Sequence, residues 1–263
     1  MIAEKIIAVL KKDAITALRC RNAFALSSLA QVAQLATFYY LSKAVGPQFR
    51  PEGMPYFLFL LIGTGFYTFL ISGTHSFLQA IQESQQTGTL EVLLTTATPA
   101  AALVSLGALS AFAKGVLQFV VSIGVGIFLF APALHVNVAG CVLAFGFSIL
   151  SAFAIGLFAA GLQISLYKGS AVLWLLGSGA WLMSGTLFPV AALPKPVQIV
   201  SDCIPFTHSL AAMRLALLDG NLPAMSREIV ILALFALFLV PVGVIFFSWT
   251  VRQARLNGTL SFY

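Results

Sequence analysis

The stretch Gln79-Ala80-Ile81-Gln82-Glu83-Ser84-Gln85-Gln86-Thr87-Gly88-Thr89-Leu90-Glu91-Val92-Leu93-Leu94-Thr95-Thr96 is a polar strip between two hydrophobic runs, each long enough to span a bilayer. Its pattern is too regular for a plain loop. Leu90, Leu93, Leu94 and Ala97 have the spacing of one stripe on a short helix, and Glu91 and Thr95 take the opposite side. Thr87 or Gly88 can open that helix, Glu91 lies near its positive end, and Pro99 closes it. A short amphipathic helix hung between two membrane spans suits docking onto another protein. Just upstream, Gln79, Gln82, Glu83 and Gln86 share one helical face. They form either a polar gate inside the membrane or a solvated helix end.

The 263 residues are 60% hydrophobic and only 8% charged, with a mean hydropathy of +0.99. A soluble domain of this length needs far more charge to solvate its surface. The apolar runs are long and do not alternate in ten-residue units, which predicts an all-α integral membrane protein and not a barrel. Six transmembrane helices are expected, at about 23–42, 55–78, 107–131, 139–166, 170–189 and 229–249. The third run can begin as early as Pro99, in which case it tilts or projects from the bilayer. No internal repeat or second domain is visible, so residues 1–263 read as a single transmembrane domain.

Residues 1–21 read as an N-terminal amphipathic interfacial helix. Lys5, Lys12 and Arg19 lie on one face and Ile7, Leu10, Ala14, Ala17 and Leu18 on another, suited to a negatively charged leaflet. No cleavable signal peptide is expected there. Placing both termini in the cytoplasm puts Lys5, Lys11, Lys12, Arg19, Arg21, Lys114, Lys168, Arg252 and Arg255 on the inner side. Lys43, Arg50, Lys195, Arg214 and Arg227 then fall outside, nine cations against five. The strip at 79–98 is cytoplasmic in that orientation. The basic residues are scattered, without a dense patch of interleaved aromatics, so no nucleic-acid partner is expected. Cys20, Cys141 and Cys203 have neither metal-ligand nor disulfide-framework spacing.

The second unusual stretch is 190–228, too long for an ordinary connection and too apolar for a free loop. Prolines, among them Pro189, Pro194, Pro196, Pro205 and Pro223, divide it into pieces near 195–204 and 206–218, each too short to span. Phe206, Leu210, Met213 and Leu217 make a helical stripe in the second piece. Two dispositions fit: helices that re-enter the outer leaflet, or a helix lying on the outer surface. In the first, Pro194, Pro205 and Arg214 form an outer gate. The head of Arg214 is then expected at the interface, facing an anionic group of a substrate or simply the lipid phosphates.

Within the spans, Gln31 and Gln34 share a face with Ser27 and Phe38. Such polar groups turn toward the bundle or a wet cavity, as part of a substrate path or as interhelical hydrogen bonds of about 0.6 kcal/mol each. Trp174, Trp181 and Phe188 are seven apart and predict an aromatic stripe, either lining a path or packing, and Gly177 and Gly179 predict a close helix neighbour. Ser184 and His208 raise a serine–histidine pair, but Leu182 stands where an intramembrane serine protease motif requires glycine. His75 and His135 have no ligand partners in spacing, there is no HExxH, and no phosphate-binding GxxxxGK[ST] loop is present. No catalytic residue, metal site or bound cofactor is therefore assigned. The spans contain no acidic residue, which weighs against the alternative of an ion-coupled secondary transporter.

Taken together, Glu83, Gly88-Thr89-Leu90-Glu91, Leu93-Leu94 and Pro99 after the second span, and Phe188-Pro189, Leu193-Pro194, Pro205-Phe206-Thr207-His208 and Arg214 after the fifth, resemble the ABC-2 family of ABC transporter permeases. The resemblance covers nearly the whole chain. It implies a six-helix membrane subunit of an ABC exporter, multi-pass in the inner or plasma membrane. It also implies a coupling helix at Glu83–Thr96 docked on a cytoplasmic ABC ATPase that holds the ATP and Mg, and a second permease copy or close relative. The sequence departs from the family pattern beside the acidic residue, where many relatives carry a base and this chain has Gln82, Ser84, Gln85 and Gln86. Cargo classes compatible with the reading are lipid, lipid-linked glycan and amphipathic compound.

Overall fold

The computed structural model describes residues 21–88, 100–130, 136–166, 169–218 and 222–257, and every long element among them is helical. The interfacial helix, most of the coupling turn (Thr89, Leu90, Glu91, Leu93, Leu94) and His135 lie outside the described residues. The elements are α1 (Arg21–Val45), α2 (Tyr56–Gln86), α3 (Ala100–Phe130) and α4 (Val138–Leu166). A helical run over 169–183, here α5, follows, then α6 (Lys195–Asp202), α7 (Pro205–Leu218) and α8 (Leu222–Asn257). Four helices, the full lengths of α2 and α4 and the greater parts of α3 and α8, are long and apolar enough to cross a bilayer.

Prolines set several boundaries. Pro194 caps α6, Pro196 sits in its first turn, and Pro205 begins α7, where the missing N–H would have no partner anyway. The two short pieces expected after the fifth span are thus helices, α6 and α7. Pro241 lies inside α8, a break that membrane helices tolerate where neighbours satisfy the freed carbonyl.

The fifth expected span differs from its sequence reading. It is α-helical at Gly169–Trp174, passes through a π-helical turn at Leu175–Ala180, and ends at Trp181–Met183. Gly185, with φ +78, turns the chain well before the expected end at 189. Extra residues in a π turn rotate the register, so Trp174 and Trp181 do not continue one α-helical stripe, and Phe188 lies beyond the helix.

The core sits around α2 and α4. In α2, 78% of the most apolar stretch is buried, against 22% in α3 and α8. The most extensive helix pair is α4 with α8, where a Cβ on Gly243 would lie 2.7 Å from the Ala154 carbonyl oxygen. Only glycine permits that approach, the small-residue packing expected between helices in lipid. At the α2–α3–α4 junction, Phe145 meets Phe66, Phe69 and Phe119 edge-on at centroid distances of 5.1, 5.2 and 5.6 Å. Outward faces are apolar too: Leu117 and Phe128 on α3 and Leu237, Phe238 and Ile245 on α8 are exposed. A helix apolar all round is that of a chain solvated by hydrocarbon.

Candidate functional site

The site-bearing features lie at the two ends of the bundle and in a cleft between α1, α2 and α3. At one end α7 is buried on nearly all sides. Phe206, Leu210, Ala212, Met213 and Ala216 are fully enclosed, so the stripe of Phe206, Leu210, Met213 and Leu217 faces protein. Pro205 is buried with it, whereas Pro194 is exposed. Arg214 belongs to this enclosed helix, and its head is buried within the protein, where the sequence reading had expected it to face the interface. Only 3% of it is exposed.

The Arg214 guanidinium donates from Nη2 to the Gly185 carbonyl at 2.7 Å and to the Phe59 carbonyl at 3.3 Å. Its Cζ lies 3.5 Å from the centroid of the Phe59 ring, and Nη1 is 3.9 Å from Glu52 Oε1. Nε has no hydrogen-bond partner. A buried cation needs such partners because hydrocarbon supplies none. The contacts join α7 to the first turns of α2, to the turn after α5 and to the short 3₁₀ turn Pro51–Gly53. Room for the head exists because residue 63 is glycine: a Cβ there would stand 2.5 Å from Nη2 and 2.7 Å from the Thr186 carbonyl oxygen. Sequence reading missed Glu52, Phe59, Gly63 and Gly185. The available signals were a lone acid in the loop before α2 and a Ser-Gly turn after α5.

The same end is pinned by small polar groups. Ser201 Oγ donates to the Met183 carbonyl at 2.6 Å, tying α6 to the end of α5, and Thr207 Oγ1 donates to the Ser201 carbonyl at 2.8 Å. Tyr56 Oη donates to the Leu187 carbonyl at 3.1 Å. His208 lies with Nδ1 2.7 Å from Glu228 Oε2 and Nε2 3.0 Å from the Asp202 carbonyl. Burial pulls its pKa down, but the hydrogen bonds to Glu228 and Asp202 and the charges of those two acids outweigh burial and leave it raised. Ser184 bonds instead to the Ala180 carbonyl, so no serine–histidine pair forms.

At the other end, α2 does not stop near 78. It runs on through the polar strip to Gln86. Gly88, with φ +66, ends it: its N–H bonds to the Gln85 carbonyl at 3.3 Å, and the Thr87 N–H bonds to the Glu83 carbonyl at 3.0 Å. Gly88 is thus the left-handed cap of the preceding helix. Glu83 is exposed and accepts a hydrogen bond from Gln79 Nε2 at 2.8 Å. Gln163, near the end of α4, donates to Gln85 Oε1 at 3.2 Å and accepts from the Gly169 N–H at 3.1 Å. One side chain therefore joins the ends of α2 and α4 to the start of α5.

Between α1, α2 and α3 lies a cleft of about 40 Å³ lined by Gln31, Gln34, Thr68, Gln118 and Ser122, with apolar walls. Gln31 Nε2 donates to Ser122 Oγ, while Gln34 is exposed. A polar space of that size admits a water. The structure brings the two glutamines together here with Gln118 and Ser122, whose i, i+4 spacing on α3 was the overlooked signal. The aromatic residues of α5 stay apart. Trp174 is 72% exposed, whereas Trp181 packs half-buried against the core. Among the described residues, a Cβ on Gly177 would meet nothing outside its own helix within 4 Å, and one on Gly179 would meet only Leu175 of the same helix.

Among the described residues, no group of three or more His, Cys, Asp or Glu could hold a metal ion. A helical bundle with apolar outer faces and four helices long and apolar enough to cross a bilayer among the described residues is that of a helical membrane protein. Residues 4–218 match the model of the ABC-2 type transporter family, and the chain belongs to that family. No curated protein matches it.

Proposed function

We propose that this chain is the permease subunit of an ABC export system. It moves a lipid, lipid-linked glycan or other amphiphile out of the cytoplasm or the inner leaflet, with energy from a separate ATPase that binds ATP and Mg. The reading places both termini in the cytoplasm of a six-span subunit in the inner or plasma membrane. In it, α1 and α5 join the four long helices as spans, and α6 and α7 fold back on the outer side with Pro194, Pro205 and Arg214 at the exit.

One observation carries the reading. Helix α2 is continuous from the Arg214 contacts to the Glu83–Gly88 cap, where the motif of the proposed coupling turn begins. A displacement of that cap passes along a rigid helix of about 46 Å and, through Gln163, into α4 and α5. Gln31 and Gln34 supply polar lining on the path side. The exposed face of Trp174, Leu175 and Leu182 beside open Gly177 supports pairing with a second permease copy.

The test is Glu91→Arg in the coupling turn, made in the complex with the cognate ATPase. Membrane expression should stay normal, while co-purification of the ATPase and cargo-stimulated ATP hydrolysis drop about tenfold, the loss of one interfacial contact worth about 1.4 kcal/mol. Unchanged co-purification and hydrolysis would sink the coupling assignment.

A further inference from the structure

The end of the bundle that holds Arg214 also contains a cleft of 490 Å³ between the last turn of α1 and the first turns of α2. That volume falls within the range of small-molecule sites. Lys43 and Arg50 line it, both exposed, and no acidic residue does. Glu52, the acid of the connecting segment, is instead turned toward Arg214, 3.9 Å away. The cleft therefore keeps two uncompensated positive charges in its lining.

Its walls are aromatic and held in place. Phe49 meets Tyr56 edge-on at 5.0 Å, and Tyr39 meets Phe57 edge-on at 6.4 Å. Tyr56 also stacks on Phe59 and bonds to the Leu187 carbonyl. Lys43 Nζ lies 5.7 Å from the Tyr39 ring centroid, within cation–π reach. Gly46, with φ +93, turns the chain after α1, and Lys43 before the turn and Arg50 after it both line the cleft. Aromatic rings and two cations lining one cleft match a molecule with a phosphate at one end and hydrocarbon at the other. Arginine and lysine are the side chains that bind phosphate, arginine by paired donors and lysine as a point charge.

We propose that this cleft binds the phosphate-bearing headgroup of an anionic lipid, with Lys43 and Arg50 on the phosphate and the aromatic wall against the glycerol and the first chain carbons. The site uses neither the coupling turn nor an ATPase, so it stands or falls independently of the export reading.

Native mass spectrometry of the intact purified protein, titrated with phosphatidylglycerol and with phosphatidylcholine, tests it. The wild type should retain phosphatidylglycerol preferentially. K43Q/R50Q should weaken phosphatidylglycerol binding about thirtyfold, as expected for removing two basic contacts at a membrane surface, with phosphatidylcholine binding and melting temperature unchanged. Should the double variant fold poorly, K43Q and R50Q made singly should each give about a fivefold loss. K195Q, which removes an exposed cation from α6 outside the cleft, should have no effect. Equal retention of the two lipids overturns the proposal, as does K195Q matching the double variant, which indicates general surface charge. Displacement of phosphatidylglycerol by millimolar inorganic phosphate also overturns it, in favour of a soluble-anion site.

Discussion

Helices α5 and α7 are both short, apolar and flanked by prolines or glycines, yet they meet opposite surroundings. Along α7 (Pro205–Leu218), every large apolar side chain of the central stripe is enclosed by α2, α4 and α8. Along α5 (169–183), Trp174, Leu175 and Leu182 are exposed, and a Cβ on Gly177 would meet no described residue outside its own helix. Hydropathy does not separate the two, because in a bilayer lipid tails and protein are equally good company for an apolar side chain. What separates them is polar chemistry. The enclosed helix carries Arg214, Ser209, Thr207 and His208, each satisfied at least in part by a carbonyl or a carboxylate. The exposed face of α5 carries only small hydroxyls, Ser170 and Ser178, the latter bonded to its own Trp174 carbonyl, and among its described residues no charged group.

The largest effect should come from removing the cation that fixes α7. Arg214→Met leaves the Gly185 carbonyl without its donor and opens space beside Gly63, and it should lower stability by about 3 kcal/mol. Melting of the detergent-solubilised protein reads this directly. A melting temperature within a degree of wild type would mean that α7 is held by apolar packing alone, and the contrast with α5 would then rest on shape.

A smaller effect is expected from His208, in the first turn of α7. Its pKa is raised in the folded state, so the protonated form is the one that folding favours. Its contribution is fully present below the ordinary histidine value and is lost as pH rises through the higher folded value. The pair with Glu228 should add about 1 kcal/mol at acid pH. Melting followed across that range should show the loss in the wild type, and Glu228→Gln should flatten it. A wild-type curve that stays level would place the anchoring of α7 on Arg214 alone.

The smallest effect on the single subunit should come from Trp174→Ala on α5, within about 0.5 kcal/mol because the side chain packs on little within the chain. The same variant should reduce cross-linked dimer if this face meets a second copy. Loss of monomer stability without a change in cross-linking would show that α5 has the same inward role as α7.

The sequence by itself determined the helical membrane class, because runs of apolar residues of bilayer length have no other stable state. It also determined where chain breaks fall. The prolines at 194 and 205 mark the starts of two short helices, because in a first turn the missing N–H costs no hydrogen bond. The early end of α5 was not legible, and although residues 79–86 read as helical, their fusion with the second span into one unbroken helix was not. A π turn has no compositional mark, and glutamine-rich residues are competent helix formers whether or not a membrane surrounds them. Only the tertiary structure decided that Arg214 points inward. A snorkelling arginine and a buried one have the same local sequence, and the choice depends on carbonyls from Phe59 and Gly185, far away along the chain, and on a glycine at 63 that leaves room for the head.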